Sequence, residues 1–345
     1  MTRGHHLLHS LLRAAVPLVM LVALAAGRSE AGDPTPKRPH LKVLYGRYLS
    51  FAPIAIARAE GFFSAQGLDV ELVHASGSSD ATPALVRGDL AVVAGALRVS
   101  ELNAIARGAE IRIVADKGHY EAGPCVSAAL VARPEFLRVE DPGSPAHLRD
   151  ARVSAIPLSY AEYVLETFLE AKGLKLADLR VVTLQEAEAA AALAEGSLDL
   201  QQMGEPFLTQ ARRSGRTVIW KPTVEIVPGG QTAVILFGPR LLTRDREAGE
   251  RFMVAYLQGV RRYQLGKTPR NVEILARETR LDPDLVREAC WESIRPDGKI
   301  NVDSVLDYER WAVRRGLLDA SLPPGKFWDP SFVDAANRVL GQPAP

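Results

Sequence analysis

The chain has 345 residues, enough for two domains of ordinary size, and 47% of them are hydrophobic, which is ample for a buried core. Its formal net charge is +1, with 42 Lys and Arg against 41 Asp and Glu. A balance this close to neutrality, with the two signs intermixed, argues against a nucleic-acid-binding surface and against a polybasic membrane patch.

The first 31 residues have the pattern of a cleaved signal peptide. Arg3 and Arg13 supply the positive start, residues 14–27 are almost entirely apolar, and Ser29-Glu30-Ala31 fits a small-x-small cleavage site. The apolar run is shorter than the ~20 residues that span a bilayer, although an uncleaved membrane anchor is the alternative. We therefore predict a mature protein that is soluble in the periplasm, with a flexible leader over residues 32–40.

The next stretch, residues 41–74, predicts a strand, a helix and a second strand. Leu41–Tyr45 is a mostly apolar run, Pro53 lies in the first turn of the helix, and residues 68–73 partly alternate between apolar and acidic side chains. A unit of this length forms a parallel strand pair with a right-handed crossover. Ligands in such sheets bind outside the carboxyl ends of the strands, so residues 47–51 are a candidate ligand mouth.

Two further loops reach the same predicted sheet edge. A Gly/Ser loop at 77–80 precedes a helix, and the loop 95–98 follows a buried strand at Leu90–Val93. The Gly/Ser loop is either an anion-binding helix start or an ordinary cap. The first-half candidates for ligand contact are Arg47, Tyr48, Ser50, Phe51, Ser78, Ser79, Asp80 and Arg98.

The second half repeats the pattern of strand, loop and helix. Ser159 is a predicted N-cap for a helix that starts beside Tyr160, and the loop Gly204–Phe207 follows another strand. Glu205 in that loop either accepts a hydrogen bond from an amine or ring N–H of a ligand, or it braces the other lobe or caps the next helix. Residues 243–340 predict only helices.

The cysteine and histidine positions give no sign of a metal site. Cys125 and Cys290 are the only two cysteines, and export makes a disulfide between them possible, but two separately buried thiols are the favoured interpretation. The histidines after the signal peptide are isolated from one another and from the cysteines. We predict neither a metal nor a cofactor.

Three segments resemble one known family. The order of strand, Pro-led helix, Glu60-Gly61-Phe62-Phe63 and Gly67-Leu68-Asp69-Val70 is similar to the start of substrate-binding proteins of ABC importers in the nitrate, sulfonate, taurine and thiamine-precursor branch. Residues 85–95 and the Glu205-Pro206 pair resemble the same family. The loop at 157–160 departs from the family, because Pro157, Leu158 and Tyr160 replace the usual glycine and serine, which disfavours nitrate as the ligand.

The resemblance implies an α/β fold of the type II-like periplasmic-binding-protein kind. Two lobes, each a mostly parallel sheet flanked by helices, are joined by a hinge of two crossings, and a helical C-terminal tail packs on the first lobe. Residues 41–118 and 233–345 would form lobe 1, and residues 119–232 lobe 2. The hinge crossings fall near 116–124 and 228–233, where the adjacent glycines would absorb the change in backbone angles.

The function that the resemblance implies is capture of a small organic solute between the lobes and delivery to an ABC permease and ATPase in the inner membrane, by a monomer. From the second lobe and the connector, the candidate contacts are His119, Tyr120, Ser159, Tyr160, Glu205 and Phe207. Aromatic rings together with arginines suggest an organic anion of the sulfonate or aromatic carboxylate class. The alternatives are a pyrimidine-type thiamine precursor, a ligand-sensing subunit, and an enzyme of thiamine-precursor synthesis; no catalytic motif is present, so we predict a protein that is not an enzyme.

Overall fold

The structure, a computed structural model, describes residues 38–46, 48–74 and 81–341. The predicted signal peptide and the candidate residues Arg47, Ser78, Ser79 and Asp80 lie outside these ranges. Within the described residues, strands form two five-stranded sheets. In chain order they are β1 (His40–Tyr45), β2 (Asp69–His74), β3 (Val92–Ala96), β4 (Arg112–His119), β5 (Ala128–Ala132), β6 (Arg152–Ser154), β7 (Arg180–Val182), β8 (Leu200–Gly204), β9 (Val218–Pro222) and β10 (Gln231–Phe237).

The two sheets share one topology. The first has the order β2-β1-β3-β10-β4 and the second β7-β6-β8-β5-β9. In each sheet four strands run in the same direction and the remaining one, β10 or β5, is antiparallel to its neighbours. These two antiparallel strands are the ones by which the chain enters the other sheet. The predicted two-lobed fold with mostly parallel sheets is confirmed.

Helices cover both sheets. Those between the strands are α1 (Ala52–Ala59), α2 (Phe62–Ala65), α3 (Thr82–Arg87), α4 (Val99–Ala106), α5 (Pro145–Leu148), α6 (Tyr160–Glu170), α7 (Glu186–Glu195) and α8 (Phe207–Arg213). Those of the C-terminal tail are α9 (Arg246–Tyr263), α10 (Pro269–Thr279), α11 (Pro283–Glu288), α12 (Val302–Arg314), α13 (Pro324–Phe327) and α14 (Ser331–Leu340).

The opening unit folds as its sequence predicts, with two differences. β1 pairs with β2 in parallel and begins one residue early, at His40, whose ring bonds the carboxylates of Asp69 and Glu71 at 2.8 and 2.9 Å. The sequence predicts Ser50 as the N-cap of the helix, because serine favours that position, but a short 3₁₀ turn, Leu49–Phe51, precedes α1 and Ser50 does not cap it. The hydroxyl of Ser50 is therefore available for contacts outside its own helix.

The tail packs on both sheets, not on the first alone. α9 and α14 cover the first sheet with fully buried Phe252, Tyr256 and Phe332. α12 lies between the sheets, and its Trp311 and Tyr308 join one apolar cluster with Tyr163 of α6, which belongs to the second sheet. The expectation that the tail packs on the first lobe is thus incomplete.

A disulfide joins Cys125 and Cys290, with their Cα atoms 5.7 Å apart. The interpretation of two separate thiols was wrong, because the tail returns to the start of β5 and brings residues 165 positions apart together. The sequence predicts a helix over residues 282–293, but α11 ends at Glu288, because the chain then continues in an extended form and crosses to the connections between the sheets.

The chain passes between the sheets twice, after β4 and before β10. On the return, Gly229 has a φ of 68° and Gly230 packs so closely that a Cβ there would lie 2.7 Å from the hydroxyl of Tyr160. The need for glycine at 230 therefore comes from close packing against a tyrosine.

The described residues contain neither a membrane-spanning helix nor a cluster of metal ligands. None of their helices combines the length and the apolar character needed to cross a membrane. In the same ranges, His, Cys, Asp and Glu side chains do not assemble in threes around a point where a metal ion would fit.

Candidate functional site

The carboxyl ends of the parallel strands from both sheets face a common region. β1 and β3 lead to Tyr48 and Arg98, whereas β7 and β8 of the second sheet lead to Glu186 and Phe207. Ligands of open α/β sheets bind at this edge. We call the region the cleft and define it by six residues that lie around it: Tyr48, Ser50, Arg98, Glu186, Phe207 and Glu292.

Two aromatic rings meet across the cleft. The rings of Tyr48, from the first sheet, and Phe207, from the second, have centroids 5.8 Å apart and pack edge to face. Tyr48 is 39% exposed, an unusual degree for a large ring. Partial burial and the nearby Glu186 carboxylate raise the pKa of Tyr48 to about 12, while Arg98 opposes them. The pair forms an apolar surface that both sheets share.

A buried lysine lies beneath the Tyr48 loop. The Lys117 ammonium donates to Ser50 Oγ at 2.9 Å and lies 3.8 Å from the centre of the Phe51 ring. Ser50 in turn bonds the carboxylate of Glu292, which comes from the tail. Burial lowers the pKa of Lys117 to about 8 despite the attraction of Glu292 and Asp116. Lys117, Ser50 and Glu292 thus form one polar chain at the floor of the cleft.

Two carboxyl groups, from separate parts of the chain, lie at this floor. Glu186, at the start of α7, accepts a hydrogen bond from the backbone N–H of Gly204 at 3.0 Å, and burial raises its pKa to about 7. Burial also raises the pKa of Glu292 to about 7, against the opposing charge of Lys117. Both side chains belong to half-buried residues. For both groups, burial has a larger effect on the pKa than the hydrogen bonds and charges that the protein supplies.

His119 belongs to a structural network rather than to the cleft surface. Its Nδ1 lies 2.9 Å from a carboxylate oxygen of the fully buried Asp116, which also accepts from Gln231 Nε2 and the backbone N–H of Arg295, both at 2.7 Å. The Asp116 carboxylate therefore ties both connections between the sheets to the tail.

The remaining predicted aromatic residues lie in the core between the sheets. Tyr160 is buried, its hydroxyl lies 3.3 Å from Ser304 Oγ, and its ring centre is 6.2 Å from that of Tyr120. Gln202 donates to the Tyr120 hydroxyl at 3.4 Å. These two tyrosines support the cleft from behind.

The structure brings Arg98 and Ser159 together. The two residues form an isolated antiparallel bridge between loops of different sheets. Ser159 caps α6 as predicted, accepting from the backbone N–H of Glu162 at 3.2 Å. The backbone N–H of Arg98 donates to the side chain of Glu101 at 2.7 Å.

Glu205 takes the capping and bracing role that the sequence left open. Its carboxylate accepts from the backbone N–H and hydroxyl of Thr209, at 3.1 and 2.8 Å, and from the backbone N–H of Cys290 at 3.0 Å. Both oxygens therefore have protein partners.

Sequence reasoning missed Lys117, Glu186 and Glu292. The Asp116-Lys117 pair directly after an apolar strand was a usable signal, since charged residues at strand ends mark ligand edges in α/β sheets. Acidic residues are common in the first turn of a helix because they interact favourably with the helix dipole, so Glu186 did not stand out as a site residue. Glu292 had no local signal, because its partners Ser50 and Gly118 lie far away in the sequence.

The NMT1/THI5-like family model matches residues 49–264, which include most residues of the cleft. The chain belongs to this family. A search of curated protein sequences finds no match. The family assignment agrees with the resemblance that the opening segment carries.

Solved structures share the fold over most of the chain. The nitrate-binding protein NrtA of Synechocystis PCC 6803 has a TM-score of 0.72 at 15% identity, covering 90% of this chain and 91% of its own. A zinc-bound ligand-binding component of an ABC-type import system from Staphylococcus aureus has a TM-score of 0.71 at 17% identity, and the match covers 87% of this chain and 99% of that one. The aliphatic sulphonate binding protein SsuA of Escherichia coli has a TM-score of 0.67 at 15% identity, and the match covers 86% of this chain and 93% of its own. A desulfurization enzyme, DSZB, is also similar, with a TM-score of 0.63 at 13% identity, covering 88% of this chain and 100% of its own. At sequence identities this low, the structural similarity establishes the fold alone.

Proposed function

We propose that this protein is the periplasmic solute-binding component of an ABC import system and holds a small organic solute in the cleft. The observation that carries the proposal is the pairing of Tyr48 and Phe207, one ring from each sheet, above a floor of charged groups. A solute that packs against this ring pair contacts both lobes at once and therefore stabilises their closed arrangement. The solute-binding names of several proteins with this fold support the same proposal.

The chemistry of the floor supports a particular kind of solute. Lys117 is covered by Phe51, so its charge acts mainly through Ser50, whereas the half-buried Glu186 and Glu292 are closer to a bound molecule. Carboxyl groups accept hydrogen bonds from amino groups and ring N–H groups. Among the ligand classes inferred from the sequence, this supports the pyrimidine-type precursor over a plain sulfonate or aromatic carboxylate, which remain predictions for the screen below.

A separate measurement distinguishes an enzyme from a binding protein. Glu186 and Glu292, with pKa values raised to about 7, are the groups that would serve as acid and base. The binding proposal expects each bound compound to be recovered unchanged after prolonged incubation. Conversion of the compound, measured by mass spectrometry, would favour an enzyme instead.

The proposal is tested by a thermal-shift screen of the exported protein against sulfonates, aromatic carboxylates and aminopyrimidines. A compound at 100 times its Kd stabilises the folded state by about 2.7 kcal/mol, which raises the melting temperature visibly. Phe207→Ala should reduce the shift, and Val339→Ala, which changes an exposed side chain on α14, should leave it unchanged. Flat melting curves with every compound class count against the proposal.

A further inference from the structure

The chain between α11 and α12 crosses both connections between the sheets. We call residues 290–301 the crossing segment. Its Ser293 carbonyl accepts from the backbone N–H of His119 at 3.0 Å, and its Gly298 carbonyl accepts from that of Asp116 at 2.7 Å. Asn301 donates its backbone N–H to Gln231 Oε1 at 2.8 Å. The tail is thereby bonded to the last residues of β4 and the first residue of β10.

Glu292 extends from this segment into the cleft. Its carboxyl group lies against Gly118, where a Cβ would be 2.5 Å from the carboxyl carbon and 2.7 Å from the nearer oxygen. Real Cβ atoms do not approach other atoms this closely, so glycine at 118 is what leaves room for the carboxylate. Ser50 supplies a hydrogen bond and Lys117 an opposite charge. Gly118, Ser50 and Lys117 together form a seat for this one side chain.

Two anchors fix the backbone on either side of Glu292. The disulfide with Cys125 ties Cys290 to the connection that leads into the second sheet, and the backbone N–H of Cys290 donates to Glu205 at 3.0 Å. On the other side, the hydroxyl of Tyr263 in α9 donates to the carbonyl of Glu292 at 2.7 Å. The backbone of Glu292 is therefore held on one side by contacts with the second sheet's loops and on the other by α9, which packs on the first sheet.

We propose that the crossing segment is a third wall of the binding site and that the Cys125–Cys290 disulfide positions Glu292 to contact the solute. The inference rests on the proposed function and assigns a specificity-determining role to a residue of the tail. Glu292 selects solutes that present a hydrogen-bond donor at the cleft floor and disfavours those that present an anionic group there. Glu186 faces the same space from the second sheet and reinforces the selection, since the two carboxyl groups repel each other until a donor lies between them.

The test compares two planar probes of nearly equal size, benzamidine and benzoate, by NMR titration of the oxidised protein. The benzamidine cation can donate a charge-assisted hydrogen bond to Glu292, whereas the benzoate anion is repelled, so we expect benzamidine to bind at least about tenfold more tightly. Glu292→Gln should remove most of this preference. Gly118→Ala should do the same with Glu292 still present, because the added methyl group displaces the flexible carboxylate from its seat.

The matched control is Gly123→Ala, whose added methyl group has no neighbour within 4 Å and which should keep the full preference. The role of the disulfide is tested by reducing it, and by the double variant Cys125→Ser with Cys290→Ser, after circular dichroism has shown that the protein remains folded. Both treatments should lower the preference severalfold. Retention of the full preference in folded, reduced protein overturns the positioning role of the disulfide.

The outcomes separate this inference from the proposed function. If the probes bind but benzoate binds as tightly as benzamidine, or if Glu292→Gln keeps the preference, the inference is wrong and solute binding stands. If neither probe nor any compound of the thermal-shift screen binds, the proposed function fails and the inference fails with it.

Discussion

The two sheets have the same strand order but very different surroundings. In the first sheet β4 is buried along most of its length, beneath the helices of the tail. In the second sheet, the strand at the equivalent position, β9, has one exposed and four half-buried residues. The opposite edge strand, β7, is exposed at all three residues, and Val181 and Val182 are 40% and 46% exposed. The comparison indicates that the tail supplies much of the core of the first sheet, whereas the second sheet forms its own apolar clusters with α5, α6, α7 and α8. We therefore expect the tail to contribute more to the stability of the first lobe than to that of the second.

The largest expected effect comes from breaking the seam between α6 and α12. Trp311 is fully buried there, and its Nε1 donates to Glu166 Oε2 at 2.7 Å. Trp311→Ala leaves a cavity and an unpaired carboxylate oxygen, so we expect a loss of about 3–5 kcal/mol in the free energy of unfolding. Urea denaturation measures it.

The control for the seam is Leu265→Ala, a change at a side chain that is 58% exposed and is expected to matter by less than about 0.5 kcal/mol. Equal effects of Trp311→Ala and Leu265→Ala would show that the second sheet is stable without the tail.

Removing the disulfide is the next largest change. Cys125 and Cys290 close a loop of 165 residues, and loss of a native disulfide costs about 2–5 kcal/mol, chiefly by freeing the unfolded chain. The double variant Cys125→Ser with Cys290→Ser should match the reduced wild-type protein in urea denaturation. A variant as stable as the oxidised protein would contradict the expected stabilisation.

A matched pair of valines tests the comparison directly. Val114 in β4 is fully buried, whereas Val182 in β7 is 46% exposed. Val114→Ala should cost about 2 kcal/mol and Val182→Ala less than about 0.5 kcal/mol, because only the first leaves a cavity in close-packed surroundings. Similar losses at both positions would mean that the second sheet is more tightly covered than its exposure indicates.

The smallest expected effect is a dependence of the melting temperature on pH, caused by titratable groups that lie between the two sheets. Burial raises the pKa of Glu186 and Glu292 to about 7, so the folded protein keeps protons that the unfolded chain has already released. The melting temperature should therefore fall by a few degrees as the pH rises from 4.5 towards 7. Lys117 acts in the opposite sense: burial lowers its pKa to about 8 from 10.5, so stability recovers as the pH rises between those values.

The pH prediction is checked by differential scanning fluorimetry with the double variant Glu186→Gln and Glu292→Gln. Glutamine keeps an acceptor for Gly204 but does not titrate, so the variant should lose the decline between pH 4.5 and 7. An unchanged decline would assign the effect to other groups.

The strands, the helices and their order could be predicted because their signals are local. Apolar runs, the proline in the first turn of α1, and the serine cap at Ser159 each act within a few residues of the chain. The family resemblance added the two-lobed arrangement. The cleft was predicted only in part: Tyr48 and Phe207, both candidates from the sequence, lie in contact with each other, whereas the carboxylate of Glu205 is bonded by Thr209 and Cys290.

Only the tertiary structure decided the charged floor of the cleft and the pairing of the cysteines. Glu292 acquires its role from Ser50 and Gly118, and Cys290 from Cys125, through contacts between residues far apart in the chain. Hydrophobic periodicity and capping patterns report the neighbours of a residue along the chain, so they contain no information about such contacts. The chain by itself determined two α/β halves, and the path of the tail added Glu292 to the charges that lie between them.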